Sequence, residues 1–173
     1  MINFRLCILL LCSFVIADEY ISIELSDSKK ELSQEIFKKL NNEHYIKDIN
    51  KDNFNERYFE AIIQKLDKEK NLFIEKEVQS YIKKSRDFID GDFDIKLAYE
   101  LINLYFERLT DFFEYQIDLI EENTFDFSKK EYLDIYYEDN QWQSNFNDLY
   151  KLWKLETKND LLVAKLSDSS NSE

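Results

Sequence analysis

The chain contains no proline and a single glycine, Gly91, in 173 residues. These two residue types supply most tight turns, bulges and left-handed backbone positions. A chain almost without them cannot furnish the many turns that β-sandwiches and doubly wound α/β sheets require, so an all-α fold follows. The apolar spacing agrees. Ser28 and Glu31 offer a capping box ahead of Leu32, Ile36, Phe37 and Leu40, which predicts a helix over 29–41. A second helix starts at Asp52 or Asn53 and carries Phe54, Tyr58, Phe59, Ile62, Ile63 and Leu66 at three- and four-residue intervals. The pattern breaks over 71–74. A third helix then holds Val78, Tyr81, Ile82 and Phe88 and ends at Gly91, which suits a left-handed cap.

The fourth helix, beginning at Asp92 or Asp94, is the longest. Ile95, Tyr99, Ile102, Phe106, Leu109, Phe113, Ile117 and Ile120 form one stripe, and Leu97, Leu101, Leu104, Tyr105, Phe112 and Leu119 form a second. At 1.5 Å per residue, roughly 28 residues extend about 42 Å. A face this wide predicts a spine packed on more than one side. The pattern weakens over 124–143, where 132–137 reads as a short strand or extended arm, and a last helix is expected over 145–166. Residues 167–173 are expected to form a disordered polar tail. The expected architecture is an irregular bundle of about five helices around one long central helix.

The N-terminus is set apart from that fold. Arg5 precedes an apolar run over 6–16, then Ala17. About ten apolar residues are too few to span a bilayer but suit a secretory leader. Val15 and Ala17 are the small residues a signal peptidase needs, so cleavage is expected between Ala17 and Asp18, leaving 18–166 as one helical domain in an exported, periplasmic protein. Lipidation at Cys12 is the competing possibility, which bulky Leu11 disfavours; an uncleaved anchor is another. Cys7 and Cys12 both lie in this segment, so the processed chain carries no thiol for a disulfide, metal or nucleophile. The net charge is −13, and removing Arg5 makes it one unit more negative. Such a chain is repelled by DNA, RNA and anionic lipid, so no nucleic-acid partner and no direct membrane binding after leader removal are expected.

Few residues suggest chemistry. His44 is the only histidine and sits in a Glu43-His44-Tyr45 junction, where a structural role is expected. Asp90-Gly91-Asp92-Phe93-Asp94 superficially resembles a calcium loop, but the glycine is in the wrong place for an EF-hand, and a helix stop followed by an N-cap explains it equally. Thirty-six carboxylates single out no acid/base pair. There is no phosphate-binding glycine loop, nucleophile elbow or H-E-x-x-H helix. No metal or cofactor is expected. The residues alone describe a helical binding or scaffold domain.

Several ordered marks narrow this. They are His44-Tyr45; Leu66-Asp67 followed by Asn71-Leu72-Phe73; Phe106-Glu107-Arg108; Trp142; Leu152-Trp153-Lys154; Lys158-Asn159-Asp160-Leu161-Leu162; and Lys165-Leu166. In order and spacing, over about 120 residues behind an export signal, the chain resembles the N-terminal helical domain of the tail-specific, or carboxy-terminal processing, serine proteases of bacterial periplasm. In that family the helical segment precedes a PDZ-like domain and a protease domain using a Ser/Lys dyad, in which a desolvated lysine is the general base for the serine. No serine or lysine of this chain lies in a position to inherit the dyad. The resemblance therefore implies a non-catalytic front domain of a truncated or split protease, docking to a protease body, an adaptor or protein substrates. A free-standing periplasmic protein that regulates a protease in trans is the alternative. An enzyme with an unrecognised carboxylate site is a third, and it requires a carboxyl of strongly raised pKa in a pocket.

Overall fold

The computed structural model describes residues 22–43, 54–86, 95–122, 125–134 and 140–170. Within these the protein is all-α: α1 (Asp27–Glu43), α2 (Phe54–Leu66), α3 (Glu75–Arg86), α4 (Ile95–Glu121) and α5 (Phe146–Ser170). His44, Tyr45, Gly91 with its flanking acids, and the leader lie outside the described residues. No strand occurs among the described residues, and the only sheet-like feature there is an isolated parallel bridge between Ile74 and Gln143. Residues 132–134 of the expected arm are neither helix nor strand, and its remainder lies outside the described residues.

Local chemistry sets the helix starts. At α1 the cap is Ser26, two residues earlier than expected: its carbonyl accepts from Lys29 and Lys30 N–H at 3.1 Å, and its hydroxyl from Lys29 N–H at 3.4 Å. Ser28 instead pairs with the Ser26 hydroxyl at 3.0 Å. α5 is capped by Asn145, whose side-chain oxygen accepts the Asp148 N–H at 3.0 Å. This helix runs four residues beyond its expected end, through Ser170, and the Ser167 hydroxyl donates back to the Val163 carbonyl at 2.9 Å. Serine is a middling helix former, so a polar composition did not by itself stop the helix.

α2 and α3 pack most closely, and α4 runs against both and against α5. One core cluster holds Phe59 and Ile63 of α2, Phe73, Val78 of α3, and Leu97, Ala98 and Leu101 of α4. A second holds Ile74, Leu149 and Trp153, with Phe112 and Tyr115 against it. Each such large apolar side chain contributes about 1.5–3 kcal/mol when fully buried. α4 is thus the spine, but its stripes are not equivalent. The buried positions are Leu97, Ala98, Leu101 and Leu119, while Phe113, Ile117 and Ile120 of the other stripe stay about half exposed. The segment before α1 is laced to α4 through Asn103, whose side-chain oxygen accepts the Ile23 N–H at 2.8 Å and whose amide donates to the Ile23 carbonyl at 3.2 Å.

Candidate functional site

Four of the residues singled out from sequence, Asp67, Arg108, Trp142 and Trp153, converge on the connection between α2 and α3. Asp67 follows α2 directly and is 2% exposed. One carboxylate oxygen accepts the N–H groups of Asn71 (2.9 Å) and Leu72 (3.2 Å). The other accepts the Phe73 N–H (3.0 Å) and the Trp142 indole N–H (2.9 Å). Burial pushes this carboxyl above the ordinary aspartate value, and the four N–H donors pull against that shift. A carboxylate with all its acceptor directions occupied is an anchor for backbone, not a proton carrier. It folds residues 67–73 into a tight turn in a chain without proline, and Lys70, at φ 57°, takes the left-handed position that glycine usually fills. The Lys70 ammonium bonds the Asn140 carbonyl and lies 5.3 Å from the Trp142 ring centre. The turn and residues 140–143 are therefore held from both sides.

The next residues continue the tie. The Gln143 carbonyl accepts the Glu75 N–H at 2.9 Å, and Glu77 reaches back to the Ile74 N–H at 3.0 Å, capping α3. The other Glu77 oxygen receives two bonds from the Arg108 guanidinium, 3.1 and 2.5 Å long, and Arg108 also donates to Glu107 (3.0 Å) and Asp111 (2.9 Å). Burial works against the Arg108 charge, but three carboxylates hold it above the ordinary arginine value. Its guanidinium carbon lies over the Phe146 ring, 4.7 Å from the ring centre, linking α3, α4 and α5.

Trp153 is fully buried and ringed by Phe112, Tyr115 and Tyr150 at 5.4, 6.0 and 5.1 Å. Its indole N–H donates to the Asn71 carbonyl at 2.5 Å. The Asn71 side-chain amide reaches one turn along α5 to both oxygens of Glu156, at 3.2 and 3.1 Å. Burial, with Glu69, Asp160 and Asp67 nearby, pushes the Glu156 carboxyl up to about 7. This is the feature the carboxylate-enzyme alternative required, but both oxygens face Asn71. The adjoining cavity of about 300 Å³ is lined by Asp67, Glu69 and Asn71 together with Lys65, Lys68, Leu109 and Phe112, among others, and the Asp67 oxygens there are taken by four N–H donors.

Several other marks serve a second place. Lys158, Asn159 and Leu162 line a groove of about 200 Å³ between α5 and residues 127–133. Lys158 donates to the Asp126 carbonyl at 2.7 Å and pairs with Glu131, while Lys165 sits 4.0 Å from the Phe127 ring centre. These cations pin the 125–134 segment to the helix. Leu161 is half-buried and contributes to neither arrangement. Asn71, one of the ordered marks, completes the knot together with Glu77, Gln143 and Glu156, and those three carried no signal in the sequence. Among the described residues no cluster of metal-ligating side chains occurs, and no helix is long and apolar enough to cross a membrane.

Residues 36–173 match the model of the tail-specific protease N-terminal domain. The tail-specific protease of Haemophilus influenzae is 25% identical over 138 residues, which cover 78% of this chain and 20% of that protein. The chain thus spans about a fifth of the length of the curated relative it matches. Every residue of the Asp67 knot lies inside the matched region.

Proposed function

Since the chain belongs to the tail-specific protease N-terminal domain family, we propose that it is a non-catalytic docking domain, exported to the periplasm by a leader cleaved between Ala17 and Asp18. Its role is to hold a protease body, an adaptor or protein substrates. The observation that supports this reading best is the knot itself. The charged family marks that reach it, Asp67 and Arg108, have their polar atoms committed to N–H donors and ion pairs, so they fix geometry and make no nucleophile–base pair. Surface, not a reacting centre, is what such a domain has to offer.

The test combines the full chain with the part of the Haemophilus influenzae protease that follows the matched region. A stoichiometric complex is expected, with no cleavage by the chain alone of a protein bearing an unstructured apolar C-terminus. Absence of a complex, or cleavage by the purified chain, overturns the reading. A complex that changes the protease's rate moves the role to regulation in trans. N-terminal sequencing of the exported protein checks the leader, with Asp18 the expected first residue.

A further inference from the structure

Two rows run side by side along the second half of α4. Phe113, Ile117 and Ile120 are 52%, 54% and 48% exposed. Their spacing of four and three places them on one face. One residue on, Glu114, Asp118 and Glu121 repeat that spacing and are exposed as well. They form a parallel acidic row about 100° around the helix. The core lies elsewhere: Leu119 is buried, and Phe112 and Tyr115 pack against Trp153. Arg108, the nearest cation on α4, is already held by Glu77, Glu107 and Asp111. Within the fold Phe113 meets its neighbour Phe112, ring centres 5.5 Å apart, yet about half of each apolar side chain in the row remains exposed.

An exposed apolar row of this kind marks a contact surface, and the acidic row beside it selects the sign of what can sit there. A second copy of this chain, at net −13, would bring like charge. We propose that Phe113, Ile117 and Ile120 dock an amphipathic helix of a partner protein whose apolar row is bordered by lysine or arginine. This rests on the docking role proposed above and gives it a surface and a charge. The apolar anchors follow the i, i+4, i+7 scheme of helix-on-helix recognition. The acidic row sets register and speeds encounter more than it adds affinity. The contact spans two turns, about 10 Å, so it suits transient binding.

The test uses three labelled helical peptides and fluorescence anisotropy with the full chain. One carries a leucine row beside a lysine row, the second has glutamate in place of lysine, and the third has serine in place of leucine. The first is expected to bind at least about tenfold more tightly than the others. Its affinity should fall about tenfold with Phe113→Ser/Ile117→Ser and with Glu114→Lys/Asp118→Lys/Glu121→Lys. A control of equal charge change, Glu31→Lys/Glu35→Lys/Glu60→Lys, should stay within about twofold. Circular dichroism checks each fold; if the serine variant unfolds, the charge variants carry the test. Equal binding of the glutamate peptide, equal loss in the control, no binding, or dimerisation of the chain through this row each overturns the proposal. A protease body that binds stripe variants and wild type alike removes this surface but leaves the docking role standing. Peptide binding here with no affinity for a protease body does the reverse.

Discussion

Asp67 shows how one carboxylate can do the work of absent turn residues. Four N–H groups reach it at a position 2% exposed, so removing an acceptor leaves buried donors unmet. Asp67→Asn keeps the shape but turns an amide NH₂ toward one of those donors. The expected loss is about 3 kcal/mol, measured as a lower urea midpoint. Trp142→Phe deletes only one donor and leaves three in place, so about 1 kcal/mol is expected. Equal losses in the two variants would mean that the indole bond, not the backbone turn, is the main contribution. Lys70 sets two effects against each other. Lys70→Gly relieves about 1 kcal/mol of left-handed strain but removes the bond to Asn140 and the cation–π contact with Trp142, worth about 0.5–1 kcal/mol. The net change should be small, and a gain equal to the full strain relief, about 1 kcal/mol, would show that the ammonium contacts contribute nothing.

At the scale of elements, helix existence was legible and helix environment was not. The 3.6-residue period and the missing proline predicted all five described helices, because both act locally. Which stripe of α4 faces the core depends on where α2, α3 and α5 lie, and the period alone is silent on that; hence the exposure of Phe113, Ile117 and Ile120 is legible only in three dimensions. The α1 cap moved from Ser28 to Ser26 because two serines offered the same chemistry. The marks at Asp67, Arg108, Trp142 and Trp153 were visible as residues, but their convergence through bonds that span 31 to 82 positions was not. Glu156 is the clearest case, since an acid mid-helix reads as solvated charge until Asn71 is seen against it. Its folded pKa of about 7 lies above the ordinary 4.5, so the fold favours the protonated form. That stabilisation is complete below about pH 4.5 and is lost as pH rises through about 7. Glu156→Gln mimics the protonated state and should raise stability above pH 7 by about 1 kcal/mol, allowing for solvent near the carboxyl. It should also flatten the dependence of the melting temperature on pH between about 5 and 8 relative to wild type. Parallel wild-type and variant curves would place the titrating group elsewhere.

Across the whole molecule, charge couples folding to partner choice with opposite signs. At −13 the chain repels itself, and the repulsion acts over about 30 Å in 10 mM salt but about 8 Å at physiological ionic strength. Raising salt from about 10 to about 150 mM should therefore raise the melting temperature, because the net self-repulsion is screened while the knot, buried and hydrogen-bonded, is screened far less. The same change should weaken docking of a basic helix on the α4 rows, because the acidic row there acts through solvent. A partner captured by apolar contact alone would show no such loss. Measuring melting temperature and peptide affinity across one salt series separates the cases. Stability rising while affinity falls is the expected result, and affinity that holds or rises with salt would assign the surface to apolar burial without selection by charge.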